Sequence, residues 1–192
     1  MKMKSFFTFS FMLIMLSNIT AQENKRNFKI HTVAFYNLEN LFDTINDVNK
    51  NDEASPIMEI RFNRGKIYRE KVSNMAEVVS QIGFDVTKRP PSIVGICEVE
   101  NRMVVEDLIS DEKLREYNYG IVHYESPDDR GIDVGLIYNK DVFKVKNSNS
   151  HDVFITDNNS SKRRNTRDQL VVSGHLDGEL MHFIVNHWPS RG

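Results

Sequence analysis

Apolar and polar positions alternate with two different periods along this chain. Residues 28–36, FKIHTVAFY, are rich in β-branched and aromatic types with a period near two, which predicts a strand. NLENLFDT comes next, and a polar run over 46–55 reads as a loop. Within 68–82, Val72, Met75, Ala76, Val79 and Ile82 recur at helical spacing, with Gly83 as the stop. SIVGICEV, 92–99, is a continuous apolar run of the kind that strands buried on both faces carry. A second helix is predicted over 103–114, with Val104 and Leu108 inward. Strands are then expected at 119–124, 132–139, 142–147, 152–155, 168–176 and 180–188, with Asp177-Gly178 as a hairpin turn. Helices early and hairpin-like strands late indicate an α+β or layered sandwich fold, not an evenly alternating doubly wound sheet.

The first residues fit neither pattern. Lys2 and Lys4 precede a mostly apolar run over 6–16, broken by Thr8 and Ser10 and too short to span a bilayer. Ile19-Thr20-Ala21 before Gln22 resembles a small-residue cleavage site. The expectation is a signal peptide at 1–21 and a single domain at 22–192, exported to the periplasm or the exterior with no stable membrane anchor. Without Lys2 and Lys4, 23 of the 25 basic residues remain against 27 acidic ones, a net charge of −4. That balance gives no global attraction for a polyanion, so a phosphate-bearing substrate would need a local positive site or a metal ion. No obligate protein partner is implied. Cys97 is the single cysteine and can form no internal disulfide; its apolar surroundings predict burial.

Candidate chemistry gathers at predicted strand ends. Glu98 closes the apolar run 93–97, and a carboxylate there needs a partner because its desolvation costs several kcal/mol. A divalent cation such as Mg²⁺ is one such partner, and an ion pair with Arg61, Arg64 or Arg102 is the other. Glu100 is expected to face solvent. Asn37 ends the first strand and could meet Glu98 if the two strands are neighbours; a turn-capping role is the plainer alternative. His187 ends the last strand and titrates near neutrality. Arg167 stands at a strand entrance, where a guanidinium can clamp a phosphate. His31, His123, His151, His175 and His182 are assigned no chemistry. A Gly-rich phosphate loop, paired-cysteine zinc spacing, HExxH and GxSxG are all lacking.

AFYNLENLFD (34–43), SIVGICEVEN (92–101), RGIDVGLIYN (130–139), NTRDQL (165–170) and FIVNHWPSR (183–191) resemble, in that order, the N-terminal half of the endonuclease/exonuclease/phosphatase superfamily. Its members include DNase I, exonuclease III-like repair nucleases, sphingomyelinases and inositol polyphosphate 5-phosphatases. The resemblance implies a DNase I-like four-layer α/β/β/α sandwich with its site at one rim of the two sheets. It implies metal-binding roles for Asn37 and Glu98, a phosphate-facing role for Arg167 and action near the scissile phosphate for His187. The implied cofactor is Mg²⁺ or Mn²⁺, and the implied reaction is hydrolysis of a phosphate ester, nuclease-like first, with nucleic acid among the substrates. A phosphatase or phospholipid phosphodiesterase, or a non-catalytic exported binding module, are the alternatives. The family's later GDFN and SDH blocks do not occur before Gly192, so the expectation is an incomplete sandwich with weak or no turnover.

Overall fold

The computed structural model describes residues 28–156 and 162–189. The predicted signal peptide and part of the basic loop before Arg163 lie outside the described residues. Contacts divide the chain at Ile30, and every helix and strand belongs to the unit that begins at His31.

Four strands form the first sheet in the order β1 (Val33–Leu41), β2 (Ile93–Val99), β4 (Asp133–Asn139), β3 (Tyr119–His123). β1 and β2 run parallel, because the long connection between them contains the helix α1 (Arg64–Gln81). The other two pairings are antiparallel. α1 and α2 (Arg102–Ser110) cover one face of this sheet. Val72, Ala76 and Val79 of α1, with Val104, Val105 and Leu108 of α2, bury against Leu38, Val94, Ile96 and Ile137. Asn101 caps α2, its Oδ1 accepting the Val104 N–H at 3.1 Å.

The second sheet, β5 (Phe143–His151), β8 (Gln169–Leu176) and β9 (Glu179–Val185), packs on the opposite face of the first. Between the sheets lie Ile93, Cys97, Val134, Leu136, Phe143, Leu170, Val172 and Val185. The fold is therefore α+β and DNase I-like, and the described residues supply three of its layers, helix, sheet and sheet. Their close approach depends on Gly95, where a Cβ would stand 3.1 Å from Val185 Cγ2 and 3.2 Å from Phe35 Cδ2. A two-residue ladder, β6 (Ile155–Thr156) with β7 (Arg163–Arg164), stands apart from both sheets.

Element boundaries depart from the sequence pattern where tertiary pairing overrides local chemistry. β1 begins at Val33 and continues through Asn-Leu-Glu-Asn to Leu41, because Leu41 still pairs with Val99. β5 extends to His151 because β8 lies beside it for its full length. α1 starts at Arg64, four residues before the predicted span, and α2 ends at Ser110. The Asp177-Gly178 turn forms as expected, with φ of +48° and +94°.

Candidate functional site

Both parallel strands lose their regular register at the same rim. In β2, Ile96 faces the helices and Cys97 the second sheet, so strict alternation would send Glu98 toward the helices. Instead Val99 occupies that face, and the ladder to β4 shifts between Cys97 and Val99. Glu98 is the extra residue, in the left-handed region at φ +59°. In β1 the register shifts between Asn37 and Leu41, with Glu39 at φ +52° and Asn40 at +56°. Each left-handed non-glycine residue costs roughly 1–2 kcal/mol. Three of them at one rim are held there by neighbouring contacts, a pattern that clusters at functional sites.

Those contacts can be followed atom by atom. Lys71 of α1 donates to the Glu39 and Asn40 carbonyls, the latter at 2.9 Å, which clamps the distorted end of β1. The Asn40 N–H donates to Glu98 Oε2 at 3.0 Å. Asn37 Nδ2 donates to Glu98 Oε1 at 3.0 Å, while Asn37 Oδ1 accepts the Glu39 N–H at 2.7 Å. His187 Nε2 lies 3.4 Å from the same Oε1. Of the two partners left open for Glu98 by the sequence, none of the three arginines is used. Arg64 donates to the Met58 and Ile60 carbonyls, and Arg102 pairs with Glu106.

Glu98 and His187 open into a cavity of about 550 Å³ that Asp128, Arg130, Arg167 and Trp188 also line. Asp128 Oδ2 lies 3.6 Å from the Arg167 guanidinium, both groups buried. Asp128 Oδ1 accepts the Arg130 N–H at 3.1 Å, which fixes the carboxylate in its own loop. Burial works against the Arg167 charge and Asp128 offsets it. Burial, followed by the positive charge of Arg167, pushes His187 below the ordinary histidine range, with Glu98 acting in the opposite sense. The imidazole is therefore held neutral at neutral pH, able to donate from one nitrogen and accept at the other.

Three residues that line this cavity carry buried polar atoms without hydrogen-bond partners: Thr166 Oγ1, Arg167 Nε and His187 Nδ1. Desolvated groups of this kind cost about 1–3 kcal/mol each unless a ligand or water meets them.

All four sequence-selected residues come together: Asn37, Glu98 and His187 through direct contacts, and Arg167 across the same cavity. Glu100 does not behave as expected. It is buried, and it accepts the Asp43 N–H at 2.6 Å. Asp128, Arg130 and Trp188 were missed, since SPDDRG reads only as a turn and Trp188 as a strand end.

Residues 32–192 match the model of the Endonuclease/Exonuclease/phosphatase family. Three solved structures resemble the chain. An endonuclease/exonuclease/phosphatase from Bacteroides vulgatus is 16% identical, over 79% of this chain and 49% of that one, with a TM-score of 0.45. An endonuclease/exonuclease/phosphatase family protein from Bacteroides thetaiotaomicron is 19% identical, over 79% and 46%, at 0.46. A β-hairpin deletion mutant of the Staphylococcus aureus beta toxin is 15% identical, over 86% and 53%, at 0.49. The chain thus spans about half the length of these structures. No curated protein matches it.

Proposed function

The chain belongs to the endonuclease/exonuclease/phosphatase family, and from that premise we propose that its rim cavity binds a divalent cation and a phosphate ester in a metal-dependent phosphoesterase, endonuclease-like in its choice of phosphodiester bonds. One observation supports this above the rest: Glu98, bent out of its strand, meets Asn37 and His187 in a cavity that also holds Arg167.

The donor set fits Mg²⁺ or Mn²⁺. A carboxylate offers about four acceptor positions, and two at Glu98 are filled by Asn37 Nδ2 and the Asn40 N–H. The remaining positions can hold a hard cation that keeps most of its waters. Asn37 orients the carboxylate, and its oxygen retains one lone pair beyond the bond from Glu39. The bound ion would supply Lewis-acid stabilisation of charge on the phosphate oxygens.

The rest is done by the protein's own groups. Arg167 presents a fixed guanidinium to the phosphate, which displaces Asp128 as its counter-charge. Neutral His187 donates a hydrogen bond to a phosphate oxygen or to the leaving oxygen. Arg130 and Arg164 extend the positive wall, and Trp188, 59% exposed, offers a face on which a base can stack. These features favour a phosphodiester of nucleic acid over a small phosphate monoester. Export through the segment at 1–21 belongs to the same proposal. Among the described residues no helix is long and apolar enough to cross a membrane.

The test needs only groups that this chain contains. Mn²⁺ is titrated into the chain and into Glu98→Gln, with hydrolysis of bis(p-nitrophenyl) phosphate measured in parallel. Loss of Mn²⁺ binding in Glu98→Gln is expected. Equal affinity in the two proteins overturns the reading.

A further inference from the structure

A second group of potential ligands lies on the other face of the first sheet. His123 pairs with Gly135 across the β3–β4 ladder, and Asp133 stands two residues further along β4. Glu125 comes two residues after His123, so all three share the face on which Ile121 and Ile137 meet the helices. The Glu98 cavity is on the opposite face, turned there by the shift at Glu98.

We propose that His123, Glu125 and Asp133 form a zinc site. The His123 and Asp133 side chains are only 3% and 1% exposed. His123 Nε2 and Asp133 Oδ2 stand 3.2 Å apart, yet neither has a hydrogen-bond partner. Two ligands each about 2.1 Å from one tetrahedral ion lie roughly 3.4 Å from each other. The observed 3.2 Å spacing is close to that distance. Ligand atoms from all three residues fall within 4.8 Å of one another.

The surroundings suit a cation. Asp133 Oδ1 accepts the Ser126 N–H at 2.9 Å, the outer contact that holds a ligating carboxylate in place. Glu125, exposed to solvent, closes the group from outside. The nearby Lys50 spends donors on the Ser126 and Asp128 carbonyls. One imidazole with two carboxylates selects zinc over magnesium, and a water completes the tetrahedron. An ion here fastens the base of the 124–132 loop, which carries Asp128 against Arg167.

Zn²⁺ is titrated by calorimetry into the full chain, stripped with EDTA and carrying Glu98→Gln so that the rim carboxylate is disabled. One zinc per chain is expected, with affinity at least tenfold weaker when His123→Gln or Glu125→Gln is added. Glu125 is at the surface, so its variant keeps the test valid if His123→Gln fails to fold. No zinc uptake by the Glu98→Gln chain, as for a simple histidine–aspartate pair, overturns the proposal, as does an affinity unchanged by Glu125→Gln. Neither failure touches the rim cavity, whose Mn²⁺ binding depends on Glu98 and is kept in Glu125→Gln.

Discussion

Asn37 Nδ2 donates to Glu98 Oε1 at 3.0 Å, although 61 residues separate the two along the chain. The bond joins neighbouring parallel strands at the point where both break register, so it fixes the direction of the carboxylate as well as its position. A contact of this kind orients a metal ligand from outside the coordination sphere, and losing one typically costs 10–100-fold in metal affinity. Asn37→Ala is therefore expected to weaken Mn²⁺ binding by roughly tenfold while leaving the thermal transition cooperative. A calorimetric titration checks this; an unchanged affinity would show that Asn40 alone holds Glu98.

The same two residues show what the sequence could disclose. An asparagine and a glutamate that each come after a β-rich run mark strand ends, and neighbouring strands bring strand ends to one rim. Glu100 was misread because its burial is made by a distant segment: it accepts the N–H of Asp43, 57 residues away, a contact that no local pattern announces. Asp128 was invisible because a turn of Ser-Pro-Asp-Asp-Arg-Gly explains itself locally. Its tie to Arg167 joins positions 39 residues apart and exists only once β4 and β8 face each other. His123 and Asp133 meet in the same way, across a ladder that pairs His123 with Gly135, two residues from Asp133, only after β3 and β4 have formed.

Asp128 and Arg167 make a buried pair whose attraction must offset the desolvation of both charges. Replacing Asp128 with Ala strands the guanidinium and is expected to cost about 3 kcal/mol in a denaturant melt. Asp128→Asn keeps an acceptor for the Arg130 N–H and should cost less. It also removes the carboxylate that competes with an anion for Arg167. Inorganic phosphate should then raise the melting temperature of Asp128→Asn by more than that of the parent chain. A smaller rise would argue that phosphate does not meet Arg167.

Gly95 sets how closely the two sheets approach, because a Cβ there already crowds Val185 and Phe35. Overpacking of this kind costs about 1–3 kcal/mol, with Gly95→Val at the upper end and Gly95→Ala at the lower. Val185 precedes His187 by two residues, so pushing β9 outward also lengthens the 3.4 Å approach of His187 to Glu98. Gly95→Val should therefore lower Mn²⁺-dependent hydrolysis as well as stability. Stability loss with full activity would uncouple the sheet spacing from the rim.

Glu100 gives stability an unusual dependence on pH. Burial pushes its carboxyl up to about 7, the Asp43 N–H opposes this, and the charges of Asp43, Asp52 and Asp47 add to it. Because the folded state holds this proton more tightly than the unfolded chain, stability is full below about pH 4.5 and falls as pH rises through 7. The displaced carboxyl is worth about 3 kcal/mol once the folded group is ionised. Glu100→Gln can still accept the Asp43 N–H but never carries the charge. In EDTA, the variant and parent should melt alike near pH 4.5. By pH 8 the variant should be the more stable by roughly 6–12 °C in melting temperature. Other carboxylates titrate over the same range in both proteins, so the difference between the two curves isolates Glu100. Equal curves at every pH would mean that the Glu100 charge is neutralised in the folded state, by a cation retained in the presence of chelator or by water reaching the carboxylate.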